Sequence, residues 1–166
     1  MKLVIVYESM FGNARRVAES IARGLGPQSH TVVVPVTTAQ AGLLDGAGLV
    51  VVGGPTHAHA LSRAGTRKGA ASMAGKPGSE LTLERGADGR GLREWLARQH
   101  QGGLRAAAFD TRLDRLAVLT GRASKGIGRL LRRHGGTPAT GRRRGSRTGR
   151  GRELARRLAA MTPAAP

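Results

Sequence analysis

Short apolar runs alternate with amphipathic segments along most of the chain. The runs are continuous and rich in β-branched residues, which is typical of buried strands. After the first run, apolar residues recur at helical spacing over 13–25, and glycines close this predicted helix. The predicted strands are Lys2–Tyr7, Thr31–Val36, Leu49–Gly53 and Arg105–Phe109. This alternation predicts an α/β fold in which helices cover both faces of a parallel sheet.

The pattern is weaker after the third predicted strand. Helical spacing predicts three further helices, over Ser62–Ala74, Leu92–His100 and Ala123–His134. Trp95 lies within the second of these among apolar neighbours, so we expect it in the core rather than at a ligand. No strand pattern follows Gly135.

The composition limits the class of protein. With 166 residues, the chain has the length of one domain. It contains no cysteine, which excludes disulfides, thiolate metal sites and cysteine nucleophiles. No segment has the pattern of a signal peptide, and no apolar run is long enough to span a bilayer. We therefore expect a cytoplasmic protein without a membrane partner.

The net charge is +18, and part of this basic excess lies in the C-terminal tail, where basic residues are concentrated. From Pro138 onward the basic residues are all arginines, and the single acid among them is Glu153. We divide the chain into a domain over 1–136 and a basic low-complexity tail over 137–166. Within the tail, Gly141–Gly151 is expected to be disordered, and Glu153–Met161 has the pattern of a short helix.

Three interpretations of the tail are open. An arginine-rich segment can bind nucleic acid through phosphate contacts, although this one lacks aromatic side chains for stacking on bases. A solvated end without a partner is the second interpretation. The third is a frameshift near Gly136–Gly141, because a GC-rich coding sequence read out of frame yields runs of Arg, Gly and Ala.

The turn between the first strand and the first helix has the chemistry of an anion site. The amides that open a helix have no acceptor within it, and the helix dipole places positive charge there, so phosphate is a favoured ligand. Ser9 supplies a hydroxyl, Gly12 lets the backbone approach a ligand closely, and Asn13 is a helix N-cap or a second donor. The alternative is an ordinary strand-to-helix turn capped by Asn13.

Three segments of the chain resemble the cofactor loops of flavodoxins. Glu8–Ala14, with the sequence ESMFGNA, resembles the family's phosphate-binding loop. Val51–His59 resembles the second loop, and Ala107–Arg112 lies where the family has its third loop. All three follow predicted strands, and open α/β sheets bind ligands at that edge. The similarity extends over Met1–Gly135.

This resemblance implies a flavodoxin-like, doubly wound parallel sheet in a three-layer α/β/α arrangement that binds FMN. Flavodoxins end with a fifth strand and a helix, and we predict that the fifth strand is missing or degraded here. The residues implied to hold the FMN phosphate are Ser9, Met10, Phe11, Gly12, Asn13 and Ala14. Those implied to flank the isoalloxazine ring are Pro55, Thr56, His57, Ala58 and His59 on one side, and Phe109, Asp110, Thr111 and Arg112 on the other.

The segments also depart from the family pattern. Ala14 replaces the commoner threonine and removes one hydroxyl contact to phosphate. The ring loops contain no Tyr or Trp, so His57, His59 or Phe109 would have to replace the aromatic pair of many flavodoxins.

Some of these side chains have other interpretations. His57 and His59 are candidates for flavin contact, for an inert loop, or for a metal site, which two histidines alone do not complete. Asp110 is expected in a surface ion pair with Arg112 or Arg115 rather than in catalysis. We predict no catalytic side chain and no metal.

The resemblance implies electron transfer through FMN to a redox partner protein. One alternative is an FMN-dependent NAD(P)H:quinone reductase, which would turn over without a partner protein. The other is a basic nucleic-acid-binding or interaction protein whose flavin site is vestigial.

Overall fold

The computed structural model describes residues 1–27, 29–57, 60–99, 103–111, 123–133 and 135–138, and these contain five strands and four helices. The strands are β1 Lys2–Tyr7, β2 His30–Pro35, β3 Ala47–Pro55, β4 Arg105–Thr111 and β5 Thr137–Pro138. The helices are α1 Asn13–Leu25, α2 Ala64–Ala74, α3 Leu92–Leu96 and α4 Ala123–Arg133. The predicted segments Gly141–Gly151 and Glu153–Met161 lie outside the described residues.

The strands form one parallel sheet in the order β2-β1-β3-β4-β5. This is the flavodoxin-like doubly wound order, so the predicted fold class is confirmed. Because the strands are parallel, the segments that follow them emerge at the same edge of the sheet. The strand order reverses between β1 and β3, and this topological switch point is where such sheets form a ligand crevice.

Two apolar clusters hold the layers together, one on each face of the sheet. On one face, Leu3 and Ile5 of β1 pack with Ala18 and Ile21 of α1. On the other, Val4 and Val6 pack with residues from α3 and α4, including Trp95, which is 1% exposed as predicted. The alternation along β1 follows from the period of two residues in a strand.

Several predicted elements have different bounds in the structure, and backbone hydrogen bonds explain two of these differences. α3 ends at Leu96, short of the predicted His100, because the backbone tightens into bonds from Arg98 N–H to Trp95 O and from Gln99 N–H to Leu96 O. β4 runs two residues beyond Phe109, because Thr56 N–H donates to Thr111 O at 2.8 Å and extends the sheet.

The fifth strand is reduced to two residues within the described part of the chain. Thr137 and Pro138 pair with Arg105 and Ala106 of β4. The sequence predicts no strand after Gly135, and the structure differs in this detail. Thr137 N–H donates to Leu104 O at 3.0 Å, whereas Pro138 has no N–H to donate.

In the described ranges, no helix is long and apolar enough to cross a membrane.

Candidate functional site

The turn after β1 is folded on itself and is largely buried. Ser9 Oγ accepts a hydrogen bond from Gly12 N–H at 3.1 Å, and Met10 is 2% exposed. Gly12 has a φ of +84°, which favours glycine. Phe11 is half-buried, and Ala14 packs in the cluster beneath α1. We call residues 9–14 the cradle.

The cradle ends in backbone donors at the N-terminus of α1. The first intrahelical bond joins Arg16 N–H to Gly12 O at 3.0 Å, so the amides of residues 13–15 precede the ladder. Gly12, and not Asn13, occupies the N-cap position, and no side chain caps the helix. The interpretation of Asn13 as the N-cap is therefore wrong, because Asn13 is already the first helical residue. This donor set suits an anion such as phosphate.

A carboxylate from a distant loop lies beside the cradle. Glu84 N–H donates to Met10 O at 2.8 Å, and Glu84 Oε1 accepts from Arg15 Nε at 2.5 Å. A Cβ on Gly12 would lie 3.7 Å from Glu84 Oε1 and 3.9 Å from Arg15 Nη2. Sequence analysis missed both charged residues, because their contact joins positions 69 residues apart.

The end of β3 forms a second part of this edge. His57 and Ala60 make a small antiparallel bridge, with both backbone bonds at 2.9 Å. Thr56 Oγ1 accepts a hydrogen bond from Ala123 N–H at 3.1 Å, which ties this segment to the start of α4. Ala58 and His59 lie outside the described residues.

His57 is half-buried, and its environment disfavours the imidazolium. Burial lowers the pKa of His57 below the ordinary 6.5, the Glu8 carboxylate raises it, and the Arg67 guanidinium lowers it further. A histidine with a depressed folded-state pKa stabilises the fold above its unfolded pKa. That contribution is lost as the pH falls through the folded-state pKa.

We expect the free energy of unfolding to decrease as the pH falls below about 6.5, the unfolded pKa of His57. His57→Gln should flatten this dependence, which urea unfolding at about pH 7.5 and about pH 5.5 would measure. His30 is exposed, so His30→Gln is the matched control and should leave the dependence unchanged. Equal effects from both substitutions would contradict the assignment to His57.

The described residues of the predicted third segment belong to β4 rather than to a loop. Phe109 is 7% exposed and packs against Gly53 in the cluster beneath α1. Asp110 Oδ2 accepts hydrogen bonds from Ser124 N–H at 3.0 Å and from Ser124 Oγ at 2.7 Å. Asp110 thus holds the start of α4, where a carboxylate is favoured by the helix dipole. Its predicted partners Arg112 and Arg115 lie outside the described residues.

A buried charged cluster lies under the switch point, and sequence analysis missed it too. Glu8 N–H donates to Gly53 O at 2.9 Å, so Glu8 lies where β1 and β3 diverge. Its Oε2 accepts from Leu92 N–H at 2.8 Å, whereas its Oε1 is buried without a hydrogen-bond partner. Arg67 is 3% exposed and lies beside this carboxylate.

Arg67 has partners of its own. Its Nη1 donates to Ser62 Oγ at 2.9 Å, and its Nη2 pairs with Glu94 Oε1 at 3.2 Å. Burial by itself raises the pKa of Glu94, but hydrogen bonds from backbone amides and from Arg67 hold that pKa below its ordinary value.

A small cavity of about 190 Å³ adjoins the cradle on the β2 side of the switch point. Its lining includes Ser9, Val36, Glu84 and Arg85. The cradle is therefore bordered by a space that also touches the Glu84 loop.

Comparison with known proteins gives matches among solved structures only. No protein-family model matches the chain, and no curated protein sequence matches it. A flavodoxin from the domain Archaea is 20% identical with a TM-score of 0.63, over 96% of this chain and 94% of that chain. Flavodoxin 2 from Bacillus cereus is 16% identical with a TM-score of 0.65, over 98% and 100%. A WrbA-like flavodoxin from Agrobacterium tumefaciens is 18% identical with a TM-score of 0.60, over 96% and 95%.

The matches cover nearly all of both chains although few residues are identical. Similarity of that kind is carried by the order and packing of the elements and not by a shared site. Together with the sheet order β2-β1-β3-β4-β5, it shows that this chain has the flavodoxin-like fold.

Proposed function

We propose that this chain binds FMN without a covalent bond and carries electrons between redox partners. The observation that carries the proposal is the cradle. It joins an uncapped helix N-terminus to a glycine of positive φ at the ligand-binding edge of the sheet. The donor set is made of backbone amides and one hydroxyl, which fits a phosphate monoester.

In this proposal the cradle anchors the phosphate end of the cofactor. The amides of residues 13–15 point out of the first turn of α1 and would donate to phosphate oxygens. Ser9 holds Gly12 N–H at 3.1 Å, which keeps the turn in its binding shape before the ligand arrives. The preformed shape reduces the entropy lost on binding.

The ends of β3 and β4 would flank the ring. Thr56 and Asp110 are fixed by hydrogen bonds to the start of α4, so this part of the edge is braced by packed structure. The Phe109 ring lies in the core against Gly53, so it supports the edge from below. His57 remains half-buried at the edge. Bound FMN supplies the redox chemistry, and the protein supplies orientation and a local dielectric.

A binding measurement tests the proposal. The full chain, mixed with FMN and desalted, should keep a yellow chromophore whose fluorescence is quenched. Ser9→Ala should weaken FMN binding by about threefold to tenfold, because Gly12 N–H loses its acceptor.

Ser20→Ala is the matched control. Ser20 lies in α1, away from the cradle, and its Oγ donates to Arg16 O at 2.8 Å. Ser20→Ala should therefore leave the dissociation constant for FMN unchanged. A colourless protein after desalting, at every FMN concentration tried, would contradict the proposal.

A further inference from the structure

Two carboxylates share one guanidinium beside the cradle in the described structure. Arg15 Nε pairs with Glu84 Oε1 at 2.5 Å, and its Nη1 pairs with Glu19 Oε1 at 3.3 Å. One guanidinium thus serves two carboxylates beside a turn whose donors suit an anion.

Glu84 is held at this position by more than its ion pair. Its backbone N–H donates to Met10 O at 2.8 Å, which fixes the loop against the cradle. The loop is anchored again at Arg90, whose Nη2 donates to Ala39 O at 2.6 Å. The Glu84 side chain is 22% exposed. The position of the Glu84 carboxylate is therefore fixed by backbone hydrogen bonding as well as by its ion pair.

Arg15 is oriented by the same contact. Its hydrogen bond with Glu84 and the charge of that carboxylate raise the pKa of Arg15 above its ordinary value. Within the described residues, Arg15 Nη2 makes no hydrogen bond. It lies close to Gly12, because a Cβ added to Gly12 would be 3.9 Å from it. The guanidinium has one edge on Glu84 and a free nitrogen toward the cradle.

We propose that the Glu84 carboxylate occupies the place of the phosphate next to Arg15, and that phosphate binding transfers the Arg15 guanidinium from Glu84 to the ligand. Glu84 is then an internal competitor that lowers affinity for the phosphate end of a flavin, and Arg15 is the residue that distinguishes FMN from riboflavin. This inference rests on the proposed FMN site and adds a regulatory contact to it.

The test compares two flavins that differ only in the phosphate. Dissociation constants for FMN and riboflavin would be measured by fluorescence quenching on the full chain. Glu84→Gln keeps the backbone bond to Met10 and removes the charge, so it should tighten FMN binding by about tenfold. Riboflavin affinity should stay within about twofold, because riboflavin has no phosphate that could take the Arg15 guanidinium from Glu84.

Two further variants isolate the contact. Glu80 is exposed in the same loop, so Glu80→Gln removes an equal charge and should change neither affinity by more than about twofold. Arg15→Gln should weaken FMN binding by about tenfold and leave riboflavin binding unchanged. In that background the gain from Glu84→Gln should fall to less than about threefold, because the cation for which Glu84 competes is gone.

The possible failures are distinguishable. If Glu84→Gln weakens FMN binding, or alters FMN and riboflavin affinity equally, Glu84 is only a structural contact and the inference is wrong. If the natural chain and all variants bind neither flavin, the proposed function fails and the inference fails with it. The thermal unfolding temperature of each variant, compared with that of the natural chain, shows whether a loss of affinity comes from a loss of folded structure.

Discussion

Gly53→Ala is expected to destabilise the domain by about 3 kcal/mol. Gly53 lies in β3 at the centre of the sheet, paired with Tyr7 of β1 and Phe109 of β4. A Cβ at this position would overlap the Phe109 ring. The Gly53 backbone is held by β1 on one side and β4 on the other. The Phe109 ring cannot turn aside easily, because Phe109 is buried at 7% exposed. Overpacking against rigid neighbours forces strained rotamers or a shifted strand.

The matched control is Gly48→Ala in the same strand. A Cβ at Gly48 would also overlap a neighbour, Met1 Sδ, but Met1 is 49% exposed and flexible. Its side chain can turn into solvent, so the free energy of unfolding should change by less than about 1 kcal/mol. Urea unfolding of the two variants measures the difference. Equal losses of stability would show that the Gly53–Phe109 contact does not limit the packing of the sheet.

Glu8→Ala is expected to lower the free energy of unfolding by about 3 kcal/mol. Glu8 is 3% exposed, and its Oε2 is the acceptor for Leu92 N–H. Removing the carboxylate leaves that amide unsatisfied and takes a negative charge from beside the buried Arg67 guanidinium. Arg67 keeps its ion pair with Glu94, but one of the two carboxylates that offset the desolvation of this buried cation is lost.

Glu8→Gln separates the two causes. The glutamine retains an oxygen for Leu92 N–H and removes only the charge, so it should cost less than Glu8→Ala. Glu80→Ala removes an exposed carboxylate and should stay within about 0.5 kcal/mol of the natural protein. Chemical denaturation at neutral pH measures all three. If Glu8→Ala were as mild as Glu80→Ala, the cluster under the switch point would contribute nothing to stability.

The local elements of this fold follow from sequence patterns. β1 and α1 have the predicted bounds, because a continuous apolar run and a helical period each encode one element without help from distant residues. Two deviations from the predicted bounds are explained by backbone hydrogen bonds that the periodicity does not reveal. Thr56 extends β4 to Thr111, and tightened backbone bonds end α3 at Leu96.

The charged contacts around the candidate site could not be predicted in the same way. Glu84 reaches Arg15 across 69 positions, and Glu8 reaches Leu92 across 84. In each contact the partner comes from a distant segment with no recognisable pattern, and only the folded topology brings the two together. Asp110 shows the same limit, since its hydrogen bonds to Ser124 depend on where α4 begins.

The β1–α1 turn is the part of the site that sequence predicts best. Its phosphate chemistry depends on local features: a strand end, a hydroxyl, a glycine and a helix start. The structure adds that Gly12 is the N-cap and that the helix has no capping side chain. It also adds the carboxylate of Glu84 beside the donors.

Amide resonances followed during an FMN titration test the central claim most directly. We predict that FMN shifts the backbone amides of residues 12–15 and of Thr56 and His57, at the carboxyl edge of the sheet. Amides at the opposite edge, such as those of Lys2 and Ala47, should not move. Shifts confined to that opposite edge, or no shifts at saturating FMN, would contradict an FMN site at the cradle.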